Sequence, residues 1–332
     1  MGKDGGMSAQ ERVRPPGSAA GPVDAAWVRQ DVARWIAEEP VAQVLSAFGG
    51  GLPDGPVEGQ LAYLEAFSTQ HWEFRQGRER DFIENVRFPA DVDATVLEAA
   101  ELLGLRGTTK PERQAYDHVL VLGGLVRACL VRPRFAASLV AKGLKTATAT
   151  ALSAYRALST GERELLEATA PGFAADNEMQ VMAEGMRQAF QVSGPPSATD
   201  GSEADEGYAT WTVQRWDAPD LAVQVVVAPS PDSARRANTA DTYAFWADSV
   251  QHLSAGDTVL LVTSSIYVPF QGADAVRVLG LPRGVLVEAV GVEATGPEFG
   301  PLRQDFRAAH FLQEIRSAVR SARALYESAA PA

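Results

Sequence analysis

Cysteine occurs once in this chain, at Cys129, so no intramolecular disulfide can form and burial alone must hold the fold together. A reducing compartment fits that composition. Lysine is confined to positions 3, 110, 142 and 145, which leaves arginine to supply most of the positive charge. Histidine is also sparse. His71, His118, His252 and His310 stand far apart in sequence and no paired cysteine spacing exists, so neither a histidine-rich metal site nor a zinc site is expected. No segment approaches the roughly 18 uninterrupted apolar residues of a membrane span. Missing too are the G-x-G-x-x-G dinucleotide fingerprint, the G-x-x-x-x-G-K-[ST] phosphate loop, the G-x-S-x-G nucleophile elbow and the G-x-G-x-G loop of methyl-transfer enzymes.

What is present describes an ordinary globular protein. The 332 residues are 46% hydrophobic and 22% charged, enough chain for one large or two medium domains. Acidic residues exceed basic ones 42 to 30, for a net charge of −12. That sign disfavours general nucleic-acid binding, which depends on a basic surface, but it leaves room for a local basic pocket. The first residues carry no apolar run of a signal peptide. The expectation is a cytoplasmic protein with no membrane and no nucleic-acid partner; its oligomeric state is not legible.

Residues 1–23 are rich in Gly, Pro, Ser and Ala and read as a disordered tail. In the stretch that follows, Trp27, Val28, Val32, Trp35 and Ile36 recur at helical spacing, with Asp24 as N-cap and Pro40 as a stop or kink. "EGQLAYLEAFSTQHWEFRQ" and "DATVLEAAELLGL" continue the pattern, so residues 24–110 read as an all-helical N-terminal region. From residue 117 the rhythm changes. Short apolar runs at 118–122, 147–152, 221–228, 258–263 and 285–290 are mostly separated by helix-length segments, the mark of parallel α/β packing. A Rossmann-like, mainly parallel sheet with helices on both faces is therefore expected over residues 111–332. Residues 193–207 read as a flexible acidic loop carrying Asp200, Glu203, Asp205 and Glu206, followed by an added strand in "YATWTVQRW".

Open parallel sheets bind ligands beyond the carboxyl ends of their strands. Beyond the first run lie Gly123, Gly124, Arg127, Arg132 and Arg134, with Pro133 suited to open a helix that would place Arg134 in its first turn. Ser153 and Arg156 follow the second run; Arg235, Arg236, Asn238 and Thr239 follow the third; Thr263, Ser264 and Tyr267 follow the fourth. Hydroxyls, amides and guanidinium groups at strand ends suit a phosphate or carboxylate. Solvated arginines on polar loops would look the same in sequence. His118 begins a strand and reads as structural, and Cys129 reads as packing.

The order of these motifs resembles the YdcF-like family over about residues 117–290. The likeness is carried by "VLVLGG", by "RPRFAASL" with Arg134, by "ADNEMQVMAEGM" with Glu178, by "RRANTADTYAFW" with Asn238 and Thr239, and by "TVLLVTSSIYVPFQGA" with Thr263 and Ser264. Tyr267 and Phe270 stand where that family has a histidine and an arginine. The resemblance implies a Rossmann-like domain with a pocket at the strand ends and, for some members, S-adenosylmethionine binding. Two readings follow. One is an enzyme, transferase or hydrolase, acting on an anionic or nucleotide-like metabolite with Glu178 as base. The other is a noncatalytic module for S-adenosylmethionine or a nucleotide that contacts a partner protein. Methyl transfer is a third, opposed by the missing glycine loop.

Overall fold

The computed structural model describes residues 12–18, 23–74, 83, 86–202, 208–217, 220–232 and 234–330. The N-terminal helices are α1 (Ala25–Ile36), α2 (Glu39–Ala47), α3 (Val57–Trp72) and α4 (Ala90–Leu102). Asp24 caps α1, its Oδ1 accepting from the Trp27 amide at 2.7 Å. Pro40 stands in the first turn of α2, where its missing N–H takes nothing from the helix.

The α/β part runs β1 (His118–Leu122), α5 (Val126–Ala141), β2 (Thr148–Ser153), α6 (Thr160–Thr169), α7 (Glu178–Ala189), β3 (Ser197–Ser202), β4 (Thr210–Asp217), β5 (Ala222–Val227), α8 (Thr239–Phe245), β6 (Thr258–Ser264), α9 (Val268–Ala275), the single turn α10 (Leu281–Arg283), β7 (Leu286–Val292) and α11 (Ala308–Ser328). The strands form a seven-stranded sheet in the order β3-β4-β5-β2-β1-β6-β7. β5, β2, β1, β6 and β7 are parallel, and β4 and β3 extend the β5 edge antiparallel. From β1 the chain winds outward through β2 to β5, then returns to lay β6 against the other side of β1. The direction reverses between β1 and β6, and at such a switch point the loops part to leave a crevice.

Period-two burial explains why the central strands read as continuous apolar runs. Leu120 and Leu122 of β1 join one core with Leu152, Val226, Val259 and Leu261. Val119 and Val121 face the opposite way, into a second core with Ala149, Ala151, Val223, Val225, Leu260 and Val262. Both faces are covered, as buried parallel strands require. α5, α6 and α7 cover the second core, while α9 and α11 lie on the first. α11 also packs on α1, α3 and α4, so the N-terminal helices share the first core with the sheet.

Three expectations need correction. Residues 12–18 are not a free tail: the Val13 amide donates to the Leu102 carbonyl at 2.7 Å and the Gly17 amide to Asp31 Oδ2 at 2.8 Å, with Pro16 and Gly17 buried. The remainder of the expected tail, residues 1–11 and 19–22, lies outside the described residues, apart from Val23, which precedes α1. Within the expected loop at 193–207, Ser197–Ser202 is a strand, held by backbone pairing to β4 although its residues are polar and exposed; residues 203–207 lie outside the description. Pro133 does not open α5. That helix starts at Val126, leaving Pro133 at its eighth position and Arg134 exposed at its ninth.

An interior proline removes the bond to the carbonyl four residues back, here Cys129. α7 meets that carbonyl with a glycine. A Cβ built on Gly185 would stand 2.1 Å from the Cys129 oxygen and 3.5 Å from Pro133 Cγ, so the two helices touch backbone to backbone. In an open helix Gly→Ala gains about 1 kcal/mol. For Gly185→Ala the sign should reverse, and a lowered urea midpoint relative to the parent protein is the measurement that checks it.

Candidate functional site

A cavity of about 680 Å³ opens at the carboxyl ends of β1, β2, β5 and β6, across the switch point. That volume falls in the range of small-molecule pockets. Its walls include Gly123, Gly124 and Arg127 from the β1–α5 loop, Ser153 and Arg156 after β2, and Glu178 at the start of α7. Arg235, Arg236, Asn238 and Thr239 come from the segment after β5, and Ser264 and Tyr267 from the end of β6. The topology thus gathers most of the residues singled out in the sequence. Arg134 and Thr263 are not on the wall. Arg134 points to solvent because α5 begins a full two turns earlier than expected, and Thr263 is fully buried beneath the site, donating to Gln271 Oε1.

Arg156 organises the floor. Its two terminal nitrogens donate to the Glu162 carboxylate at 2.8 and 2.7 Å, its Nε to Glu178 Oε2 at 3.1 Å, and one terminal nitrogen also reaches the Gly124 carbonyl at 3.2 Å. The two glutamates in turn take the loop amides. Glu178 Oε1 accepts from the Gly124 N–H at 3.1 Å, and Glu162 Oε1 from the Val126 N–H at the start of α5, also at 3.1 Å. The start of α5 is therefore already served by the protein's own carboxylate. Gly123 is required by the same crowding: a Cβ there would lie 2.5 Å from both Glu178 Oε1 and the Leu152 carbonyl.

Environment drives the two carboxyls apart. Burial alone would raise Glu162, but the Arg156 hydrogen bonds and the Ser159 and Val126 amides outweigh it and lower its pKa to about 2. Glu178 is more deeply enclosed, and burial pushes its pKa up despite Arg156. Removing one member of such a buried set typically costs about 3–5 kcal/mol, because its partners keep uncompensated charge.

The remaining arginines divide by partner. Arg132, only 2% exposed, donates to the carbonyls of Leu122 at 2.9 Å and Gly123 at 2.6 Å and to Ser264 Oγ at 3.2 Å, tying the ends of β1 and β6 together. Arg235 pairs with Asp241 at 2.5 Å, beside the reciprocal cap in which Asn238 and Asp241 close the start of α8. Arg127 and Arg236 differ. Among the described residues neither guanidinium has a hydrogen bond or ion pair, and the buried Nε of Arg127 has no partner. Burial lowers the pKa of Arg127.

Sequence reading missed Glu162, Tyr208, Gln271 and Gln304. Glu162 was signalled by the Ser159-x-x-Glu162 capping box, which forms at the start of α6. The other three reach the cavity through tertiary packing and carry no local signal. Cys129 is fully buried, its Sγ 3.4 Å from the Gly124 carbonyl, and burial raises its pKa well away from thiolate chemistry. His118 lies at the opposite end of β1, its Nδ1 3.0 Å from Thr148 Oγ1. Among the described residues no group of three or more His, Cys, Asp or Glu side chains could hold a metal, and no helix is long and apolar enough to cross a membrane.

These features define a doubly wound α/β protein with an arginine-rich cavity at its switch point. Residues 19–104, which span α1–α4, match the Rv3785 N-terminal domain family. The chain is 33% identical over 328 residues to the uncharacterized proteins Rv3785 and MT3893 of Mycobacterium tuberculosis and Mb3814 of Mycobacterium bovis, covering 90% of this chain and 90% of each of them. It belongs to their family. No solved structure matches it.

The acid limb of stability should report the Glu162 cluster. Its folded pKa of about 2 lies below the ordinary 4.5, so its contribution is complete above about 4.5 and fades as pH falls toward 2. Glu178, shifted upward, acts in the opposite sense. Between pH 5 and about 2, Glu162→Gln should therefore lose less stability than the parent does, as read from urea midpoints measured across that range.

Proposed function

We propose that the switch-point cavity binds an anionic metabolite. The observation that carries this reading is the pair Arg127 and Arg236, two guanidinium groups lining the cavity with no hydrogen bond or ion pair among the described residues, Arg127 being half-buried. A phosphate or carboxylate in the cavity would take charge-assisted bonds from the terminal nitrogens of these two groups. Among the described residues Glu178 is the only acid on the cavity wall, and Arg156 and the Gly124 amide hold it, so the described lining carries more arginines than acids in a chain of net charge −12.

The YdcF-like resemblance rests on the same strand ends and adds S-adenosylmethionine to the ligands worth testing. Inorganic phosphate, pyrophosphate and S-adenosylmethionine, titrated by calorimetry, form the first panel. Native mass spectrometry of freshly purified protein would identify a ligand that copurifies. Arg127→Ala should weaken pyrophosphate binding about tenfold to a hundredfold, the loss of one charge-assisted contact. Arg320→Ala, on α11 and away from the cavity, should leave it unchanged. Equal affinity in Arg127→Ala and the parent protein would sink the reading.

Turnover is a second reading, favoured by Glu178. It lies on the cavity wall and burial raises its proton affinity, as a general base working near neutrality needs. Its carboxylate also accepts from Arg156 and the Gly124 amide, contacts that suit a purely structural role equally well. Glu178→Gln separates the two: a catalytic base predicts retained binding with ligand consumption lost. A ligand that the parent protein holds for hours without chemical change would reduce the protein to a binding module.

A further inference from the structure

Tyr155 and Tyr208 are the large apolar side chains most exposed among the described residues, at 41% and 48%. They are not scattered. Both line one recess of about 160 Å³, together with Ala154, Val227, Ala228 and Arg236. The recess adjoins the main cavity, since Ala154, Tyr208, Arg236 and Ala237 form part of both walls. It lies over the end of β5, on the side away from Arg127, which stands on the β1–α5 side.

The two tyrosines are positioned from different elements. Tyr155 follows β2, and its hydroxyl is hydrogen-bonded to the buried Thr212 hydroxyl on β4, which holds the phenol against the sheet. Tyr208 precedes β4, and its carbonyl accepts from the Ser230 amide at 2.7 Å. Tyr155, held by its hydroxyl, and Tyr208, held through its backbone, stand beside small residues and offer aromatic faces on which a flat ring can stack. Arg236 lines both recess and cavity, and Arg127 lines the cavity alone. Recess and cavity together therefore offer an aromatic subsite beside guanidinium groups that have no hydrogen bond or ion pair among the described residues.

We infer that the ligand is a nucleoside phosphate, with its base in the Tyr155–Tyr208 recess and its phosphates on Arg236 and Arg127. This inference rests on the anion-binding reading above and adds the ring. It also sets a direction against S-adenosylmethionine: that ligand carries adenine, but its sulfonium would sit among arginines, whereas phosphates are matched by them.

The test uses the full chain and calorimetry with adenosine 5′-diphosphate, guanosine 5′-diphosphate, inorganic pyrophosphate and adenosine. At least one nucleoside diphosphate should bind tenfold or more tightly than pyrophosphate. Tyr155→Ala and Tyr208→Ala should each weaken that nucleotide about tenfold, the usual loss for one base–aromatic stack, and leave pyrophosphate binding unchanged. Tyr155→Phe, which keeps the ring and loses the hydroxyl, should stay within a few-fold of the parent. Arg127→Ala should weaken nucleotide and pyrophosphate alike. If pyrophosphate binds as tightly as the better-binding nucleotide, or the tyrosine variants weaken both probes equally, the ring subsite is wrong and the anion site stands. If none of the phosphate compounds binds, both readings fall together.

Discussion

Arg156 stands at the centre of this site because it is the one group that touches all the loops forming the cavity floor. It belongs to the segment after β2, grips Glu162 at the start of α6 and Glu178 at the start of α7, and reaches the Gly124 carbonyl in the β1–α5 loop. The glutamates pass that restraint on to the Gly124 and Val126 amides. A charge buried this way contributes little net stability. Its effect is geometric: two strand-to-helix connections and the start of α7 are fixed relative to one another, and Arg132 adds the end of β6 through Ser264.

The same network explains why some arginines are available to a ligand and others are not. Loop amides at a helix start attract anions, and here two glutamates satisfy that attraction internally. With Arg156 neutralised by them, Arg235 by Asp241, and Arg132 committed to strand carbonyls, the field inside the cavity is left to Arg127 and Arg236. Counting arginines along the chain would not separate these roles, because they differ in which carboxylates or carbonyls fold back onto each one.

The α/β architecture was legible because burial on both faces writes strands as unbroken apolar runs: "HVLVL" is β1, and "TVLLVT" falls within β6. Alternation in "TWTVQRW" marked β4, three of whose eight residues are exposed. β3 was hidden, since "SATDGS" has turn composition and is a strand only through its pairing with β4. Most of the candidate site followed from a topological rule applied to strand ends. The error over Arg134 arose from reading Pro133 as a helix start; nothing local signals that a glycine 52 residues further along will accept the carbonyl that the proline frees, and that contact belongs to the tertiary structure.

The antiparallel hairpin at the sheet's margin also bears on how copies of this protein meet. β5, "AVQVVV", is fully buried and densely β-branched; standing at a free edge, it would expose a ladder of unsatisfied amides beside apolar side chains, the template on which strands of separate molecules join. β4 covers it, and the margin passes to β3, a short strand with Asp200 and Gly201 and exposed polar residues throughout most of its length. A hydrophobic strand is thereby moved inward and a poor pairing partner left outside, so the sheet ends in a segment that resists edge-to-edge aggregation.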